Sequence, residues 1–150
     1  MTRRVFLPAG LLAVFCAWGC GKKPPPIVAV EGRVTVAGKP LPKAEVRFYP
    51  VTSFGGEYIA AGETDDEGRY KLTCVGKPGA CACENRVTVT EAPLPAELRG
   101  MSGQAQEAAS RFRAGLKNRP IPPQYANLAQ SDATIEVKQG QKEYKLDLKR

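Results

Sequence analysis

The chain has 150 residues, 22 of them basic against 15 acidic, and a formal net charge of +7. It contains no histidine, the side chain that most often serves as general base or metal ligand near neutral pH, so composition points away from an enzyme. The basic residues are scattered instead of forming a stripe interleaved with aromatics, which points away from nucleic acid as a partner.

The chain opens MTRRVFLPAGLLAVFCAWGC. Two arginines followed by about a dozen mostly apolar residues have the charged and hydrophobic regions of a secretory signal. A membrane-spanning helix needs roughly 20 apolar residues, whereas this run is interrupted by Pro8 and stopped by Gly21-Lys22-Lys23. The small residues Ala17 and Gly19 and the cysteine after them resemble the lipobox of bacterial lipoproteins. There the cysteine thiol takes a diacylglyceryl group and the leader is cut just before it. Ala17 stands where leucine is usual and Trp18 where a small residue is usual; an ordinary cleaved signal is the alternative. Cys16 lies inside the apolar run, so Cys20 is the expected lipidation site. These readings divide the chain into a lipoprotein signal peptide (1–19), a lipidated cysteine and Lys/Pro tether (20–26) and one domain (27–150). Loss of the leader leaves 131 residues with a charge near +5, enough for a single core. Three consecutive prolines in the tether favour an extended polyproline II segment, holding the domain roughly 15 Å from its anchor.

Beyond the tether, apolar and polar residues alternate with the period of half-buried strands. VAVEGRVTV places Val28, Val30, Val34 and Val36 on one face; AEVRFYP places Val46 and Phe48 inward. EYIAAGET (57–64) is a less regular strand. RYKLTC buries Tyr70, Leu72 and Cys74, and NRVTVTE buries Val87 and Val89. TIEVKQ buries Ile135 and Val137, and EYKLDLKR buries Tyr144, Leu146 and Leu148. Glycine, proline and aspartate turns separate the seven segments. The expected fold is all-β, a seven-stranded sandwich. One segment, AELRGMSGQAQEAASRFRAGLK near 96–117, repeats apolar residues at helical spacing instead: Leu98, Met101, Ala105, Ala108, Phe112 and Leu116. It predicts one inserted α-helix, ordered from about Gln104 because Gly100 and Gly103 weaken its start. Its expected berth is an open side of the sandwich.

Three stretches, VEGRVTVAGKPLPKAEVRFYP, GETDDEGRYKL and NRVTV, closely resemble the carboxypeptidase regulatory-like, or transthyretin-like, domain found in small bacterial lipoproteins. The resemblance covers about 27–91 well and 120–149 moderately, where the tail reads IPPQYANLAQSDATIEVKQGQKEYKLDL. It implies a transthyretin-like β-sandwich acting as a non-catalytic folding, spacing or binding module. Such a fold does not by itself determine function. Gly38 and Gly68 are suited to positive φ in its turns, Thr64 and Asp65 to bonding turn amides, and Tyr70 to anchoring the hairpin.

Cys74, Cys81 and Cys83 form C-x6-C-x-C where the family pattern usually has P-G-x-Y. Too few ligands are at hand for a usual metal site, and an oxidising compartment favours a disulfide from Cys74 to either Cys81 or Cys83. A Cys81–Cys83 bond would be strained. Asp65, Asp66 and Glu67 fit a solvated turn better than a calcium loop. Glu63 and Asp65 lie on a strand edge with no sign of a cleft for carboxylate-pair chemistry. Ser53, Ser102, Ser110 and Ser131 lack a nucleophile context. The basic patch Arg111, Arg113, Lys117 and Arg119 reads as a solvated helix face, with attraction to anionic lipid as the alternative.

The resulting expectation is a lipid-anchored, exported module at the cell envelope, without catalysis, cofactor or bound metal. It would meet the membrane through its anchor and a protein or polysaccharide as ligand. Two other readings remain open. One is a redox-active or metal-assisted enzyme using Cys74, Cys81 and Cys83. The other is an adaptor docking a protein through Arg111, Phe112, Arg113, Leu116 and Lys117 of its helix.

Overall fold

The computed structural model describes residues 23–52 and 56–150. The leader, Cys16, the lipidation candidate Cys20 and Ser53 lie outside the described residues. The strands are β1 (Ile27–Val28), β2 (Glu31–Val36), β3 (Lys39–Pro40), β4 (Ala44–Pro50), β5 (Ala60–Glu63) and β6 (Arg69–Lys71). They continue as β7 (Thr73–Cys74), β8 (Lys77–Pro78), β9 (Ala80–Cys81), β10 (Glu84–Glu91), β11 (Thr134–Glu136) and β12 (Glu143–Leu148). One α-helix, α1, spans Gly103–Ala114.

One sheet runs β11-β10-β4-β5-β7-β8, all antiparallel. In the other, β2 is central: β12 pairs with it in parallel, while β3 and β6 pair antiparallel along its opposite edge. β1 and β9 form a small third ladder. Period-2 alternation turns one face of each main sheet toward a shared core. Val34, Val36, Tyr70, Leu146 and Leu148 from one sheet meet Val46, Phe48, Ala60, Val87 and Val89 from the other. The rings of Phe48 and Tyr70 face each other across that core, their centroids 6.2 Å apart.

All seven expected segments carry strand, but two are divided: VAVEGRVTV breaks at Ala29-Val30 into β1, paired with β9, and β2. RYKLTC breaks at Leu72, so that β6 belongs to the β2 sheet and β7 to the β4 sheet. Tyr70, Leu72 and Cys74 are nevertheless all buried, because both halves face the same core. In EYIAAGET only Ala60–Glu63 is strand, and Gly56–Tyr58 is a 3-10 turn.

Turn and contact chemistry explain the key small residues. The Thr64 hydroxyl accepts from the Ala44 amide at 2.9 Å and donates to the Leu41 carbonyl at 2.7 Å. Asp65 accepts from the amides of Glu67 and Arg69, closing the hairpin, and Gly68 takes φ +74°. Gly32 is required for a different reason. Tyr70 lies across it to donate its hydroxyl to the Tyr144 carbonyl at 3.0 Å. A Cβ at Gly32 would stand 1.7 Å from that carbonyl oxygen.

The helix starts within a residue of its expected onset but ends earlier, at Ala114, and is seated differently. It begins at Gly103, capped by the Ser102 hydroxyl accepting from the Ala105 amide. Met101, expected on the apolar face, is 94% exposed. Ala109 is the buried helical residue, while Phe112 and Leu116 are half-buried. The helix rests chiefly on the preceding 3-10 turn, Ala96–Leu98, instead of across a sheet.

Its tail, not its face, ties it to the β body. Asn118, at φ +58°, donates to the carbonyls of Val36, Lys39 and Pro40. Arg119 was expected on a solvated face, yet its side chain is only 14% exposed. It grips both Glu91 carboxylate oxygens at 2.7 and 2.9 Å and reaches the carbonyls of Lys117, Pro42 and Lys43.

Candidate binding face and thiol cluster

The outward residues of β2, β6 and β12, with Glu63 and Asp65, line an open cavity of about 800 Å³. This corrects the expectation that those two carboxylates lack a cleft. The strand register sorts the charges into rows. Lys145 lies opposite Arg33, and Arg33 opposite Arg69. Three cations therefore stand abreast on neighbouring strands, about 4.8 Å from one strand to the next. The adjoining row reads Glu143, Glu31 and Lys71, with Lys71 at 4.0 Å from Glu31.

Like charges directly opposite across a ladder are destabilising. Arg33 spends one donor on the Glu67 carbonyl, Nε to oxygen 2.8 Å. Neither Arg69 nor Lys145 has a side-chain hydrogen bond or ion pair among the described residues. The row thus presents cation donors without direct ion-pair partners among the described residues. They stand in an accessible hollow whose lining as a whole balances Arg33, Arg69, Lys71 and Lys145 against Glu31, Glu63, Asp65 and Glu143. Sequence alternation exposes these side chains, but only the register sets them side by side.

The other expected site residues are distributed as follows. Arg111 pairs with Glu107 one turn back on the helix surface, and Arg113 and Lys117 are exposed. Phe112 and Leu116 form, with Pro93, Leu94 and Pro95, a groove of about 310 Å³ rimmed by Arg99 and Arg113. Asp66 faces Lys43 at 3.7 Å. Ser131 is buried and donates to the Val87 carbonyl, so it serves the backbone. Ser110 is exposed.

Cys74, Cys81 and Cys83 are thiols in this structure. Cys74 and Cys81 are buried within the core, Cys83 only partly. The sulfurs of Cys74 and Cys81 converge on one acceptor, the Tyr58 carbonyl, at 3.3 and 4.0 Å, and the two thiols are in hydrogen-bonding contact. Burial disfavours the thiolate: it raises Cys74 and Cys83 and pushes Cys81 up to about 11.

Cys83 is turned elsewhere. Its amide donates to the Cys81 carbonyl at 2.8 Å, and its sulfur meets the Thr52 hydroxyl and the Asn85 amide group. Asn85 occupies the inward parity shared with Val87 and Val89 and is fully buried. It donates to the carbonyls of both Cys81 and Cys83. Its Oδ1 has no hydrogen-bond partner among the described residues. Among the described residues, no three His, Cys, Asp or Glu side chains are grouped to hold a metal ion, and no helix is long and apolar enough to cross a membrane.

Comparison with family models, curated proteins and solved structures finds no match to this chain.

Proposed function

We propose that the protein is an exported module, anchored by lipid on Cys20, that binds an anionic polymer of the cell envelope without chemical turnover. Its finer architecture in this reading is the seven-stranded transthyretin-like sandwich with one inserted helix. Support for the architecture comes from the single core shared by the two main sheets and from the Thr64–Gly68 hairpin. The leader, Cys20 and the proline tether support export and anchoring.

The observation that carries the binding role is the row Lys145, Arg33 and Arg69. Cations held abreast cost stability unless an anion relieves them. A row crossing the strands suits an extended ligand with recurring carboxylates or phosphates, which an acidic polysaccharide provides. The contacts are solvent-exposed, so affinity falls as salt screens them.

Isothermal titration of the full chain in detergent with polygalacturonate, and with uncharged dextran as control, tests this. Binding to polygalacturonate alone, weakened at least tenfold by R33Q/R69Q/K145Q, is the expected result. Equal binding of both polymers, or no change in the triple variant, overturns it.

A second reading has one feature in its favour. The groove between Phe112, Leu116 and Pro93–Pro95 offers an apolar floor with charged rims of both signs, Lys43, Arg99 and Arg113 with Glu63 and Glu91, as an adaptor for a protein partner would.

A further inference from the structure

Of the three thiols, two share an environment that the third does not. Cys74 ends β7 and Cys81 ends β9, with the β8 strand and its turn between them in sequence. The polypeptide reverses at Val75 and Gly76, both at positive φ, and β8 returns antiparallel to β7. Gly79 then carries the chain into β9 with φ +122°. This path brings the Cys81 sulfur back beside that of Cys74 under the Tyr58 carbonyl.

Cys83 is held out of this arrangement. The Cys83 amide to Cys81 carbonyl bond makes a tight turn, and the Asn85 side chain fastens both carbonyls from the other side. With Thr52 and Asn85 at its sulfur, Cys83 has its own partners.

We propose that Cys74 and Cys81 are an oxidisable pair that closes to a disulfide in the exported protein, while Cys83 stays a thiol. The oxidant is a disulfide of the thiol–disulfide exchange class. One cysteine thiolate attacks it, releasing one thiol and forming a mixed disulfide. The second cysteine, as its thiolate, attacks the bonded cysteine sulfur and expels the other half as a second thiol. Two hydrogens thus leave the protein, and one external disulfide becomes two thiols. Because both sulfurs lie in the core, exchange proceeds before or during packing, when the thiolates are accessible.

Closing so short a loop raises the folded-to-unfolded ratio by roughly fiftyfold in the chain-entropy treatment. The bridge would also replace both S–H donors at the Tyr58 carbonyl, coupling the redox state to the Gly56–Tyr58 turn.

The test refolds the full chain from denaturant in detergent, in a mixed oxidised and reduced glutathione buffer. Free thiols are then alkylated under denaturing conditions and the protein is digested without reduction. The expected map has a peptide joining Cys74 to Cys81 and alkylated Cys83. Reduction of the bridged protein should lower its melting temperature by several degrees. C83A, which removes only the third thiol, should give the same linked peptide. A bridge involving Cys83, or full alkylation of Cys74 and Cys81 after oxidative refolding, overturns the proposal. Polymer binding plays no part in this readout, so its result is independent of the binding role.

Discussion

Arg119→Ala is the sharpest perturbation of the fold, because one side chain joins three segments distant in sequence. Its guanidinium holds Glu91 at the end of β10, the Pro42–Lys43 carbonyls before β4, and the Lys117 carbonyl behind the helix. The Glu91 pair is half open to water on the acid's side, so it is worth no more than about 1 kcal/mol. The Lys43 carbonyl keeps a second donor, the Ala92 amide at 3.1 Å. The Pro42 carbonyl has Arg119 as its donor at 2.7 Å, and stranding it costs about 1–3 kcal/mol. Loss of the packed aliphatic stem adds about 1 kcal/mol. The expected destabilisation is therefore on the order of 3 kcal/mol. Urea unfolding followed by circular dichroism measures it as a fall in midpoint at unchanged slope. Arg113→Ala removes an equal charge from an exposed position and should move stability by less than about 0.5 kcal/mol. Equal midpoints for wild type and Arg119→Ala would refute the clamp.

Gly32→Ala should destabilise by on the order of 3 kcal/mol or more, since its Cβ meets the β12 backbone at 1.7 Å; wild-type urea stability in this variant would contradict that contact. The Thr35 hydroxyl, then the Gly38 amide, hold the Asp147 carboxyl below its usual range. A depressed folded pKa stabilises at pH above the unfolded value near 4 and is lost as pH falls through the folded value. Asp147→Asn should therefore melt below wild type at pH 7 and converge with it near pH 2; a constant gap would count against the assignment. Phe112→Ala removes a half-buried ring and should cost about 1–2 kcal/mol, less than a core phenylalanine. An unchanged melt with loss of a co-purifying protein would favour the adaptor reading instead.

Alternation made most of the core legible. Val34, Val36, Val87, Val89 and Leu146 are buried as their parity requires, because a half-buried strand leaves little choice of face. The same regularity concealed the change of sheet at Leu72: residues 70, 72 and 74 keep one parity while facing a common core from two sheets. The two-residue strands β1, β3, β8 and β9 are too short to show any period. Asn85 stood at an inward position between Cys83 and Val87, a polar residue on an apolar face, and that anomaly was the available signal for the thiol cluster.

Arg119 read as surface charge because its acceptors lie 28 to 77 residues away, apart from the local Lys117 carbonyl. The cation row was hidden for a related reason. Lys145 faces Arg33 only through a parallel pairing of segments more than 100 residues apart, and no local pattern encodes that register. Ser102 and the glycine-weakened helix start were accessible to local reading; the exposure of Met101 was not, since periodicity cannot say where a helix face ends.

The anchor and the binding face meet in one measurement: flotation of the acylated full chain on vesicles with fluorescent polygalacturonate, beside C20S and R33Q/R69Q/K145Q. The account predicts that wild type carries the polymer to the top of the gradient. C20S should leave both protein and polymer below, and the triple variant should float without polymer. A C20S chain that floats would contradict the lipid anchor. A triple variant that carries polymer as wild type does would contradict the cation row as the binding face.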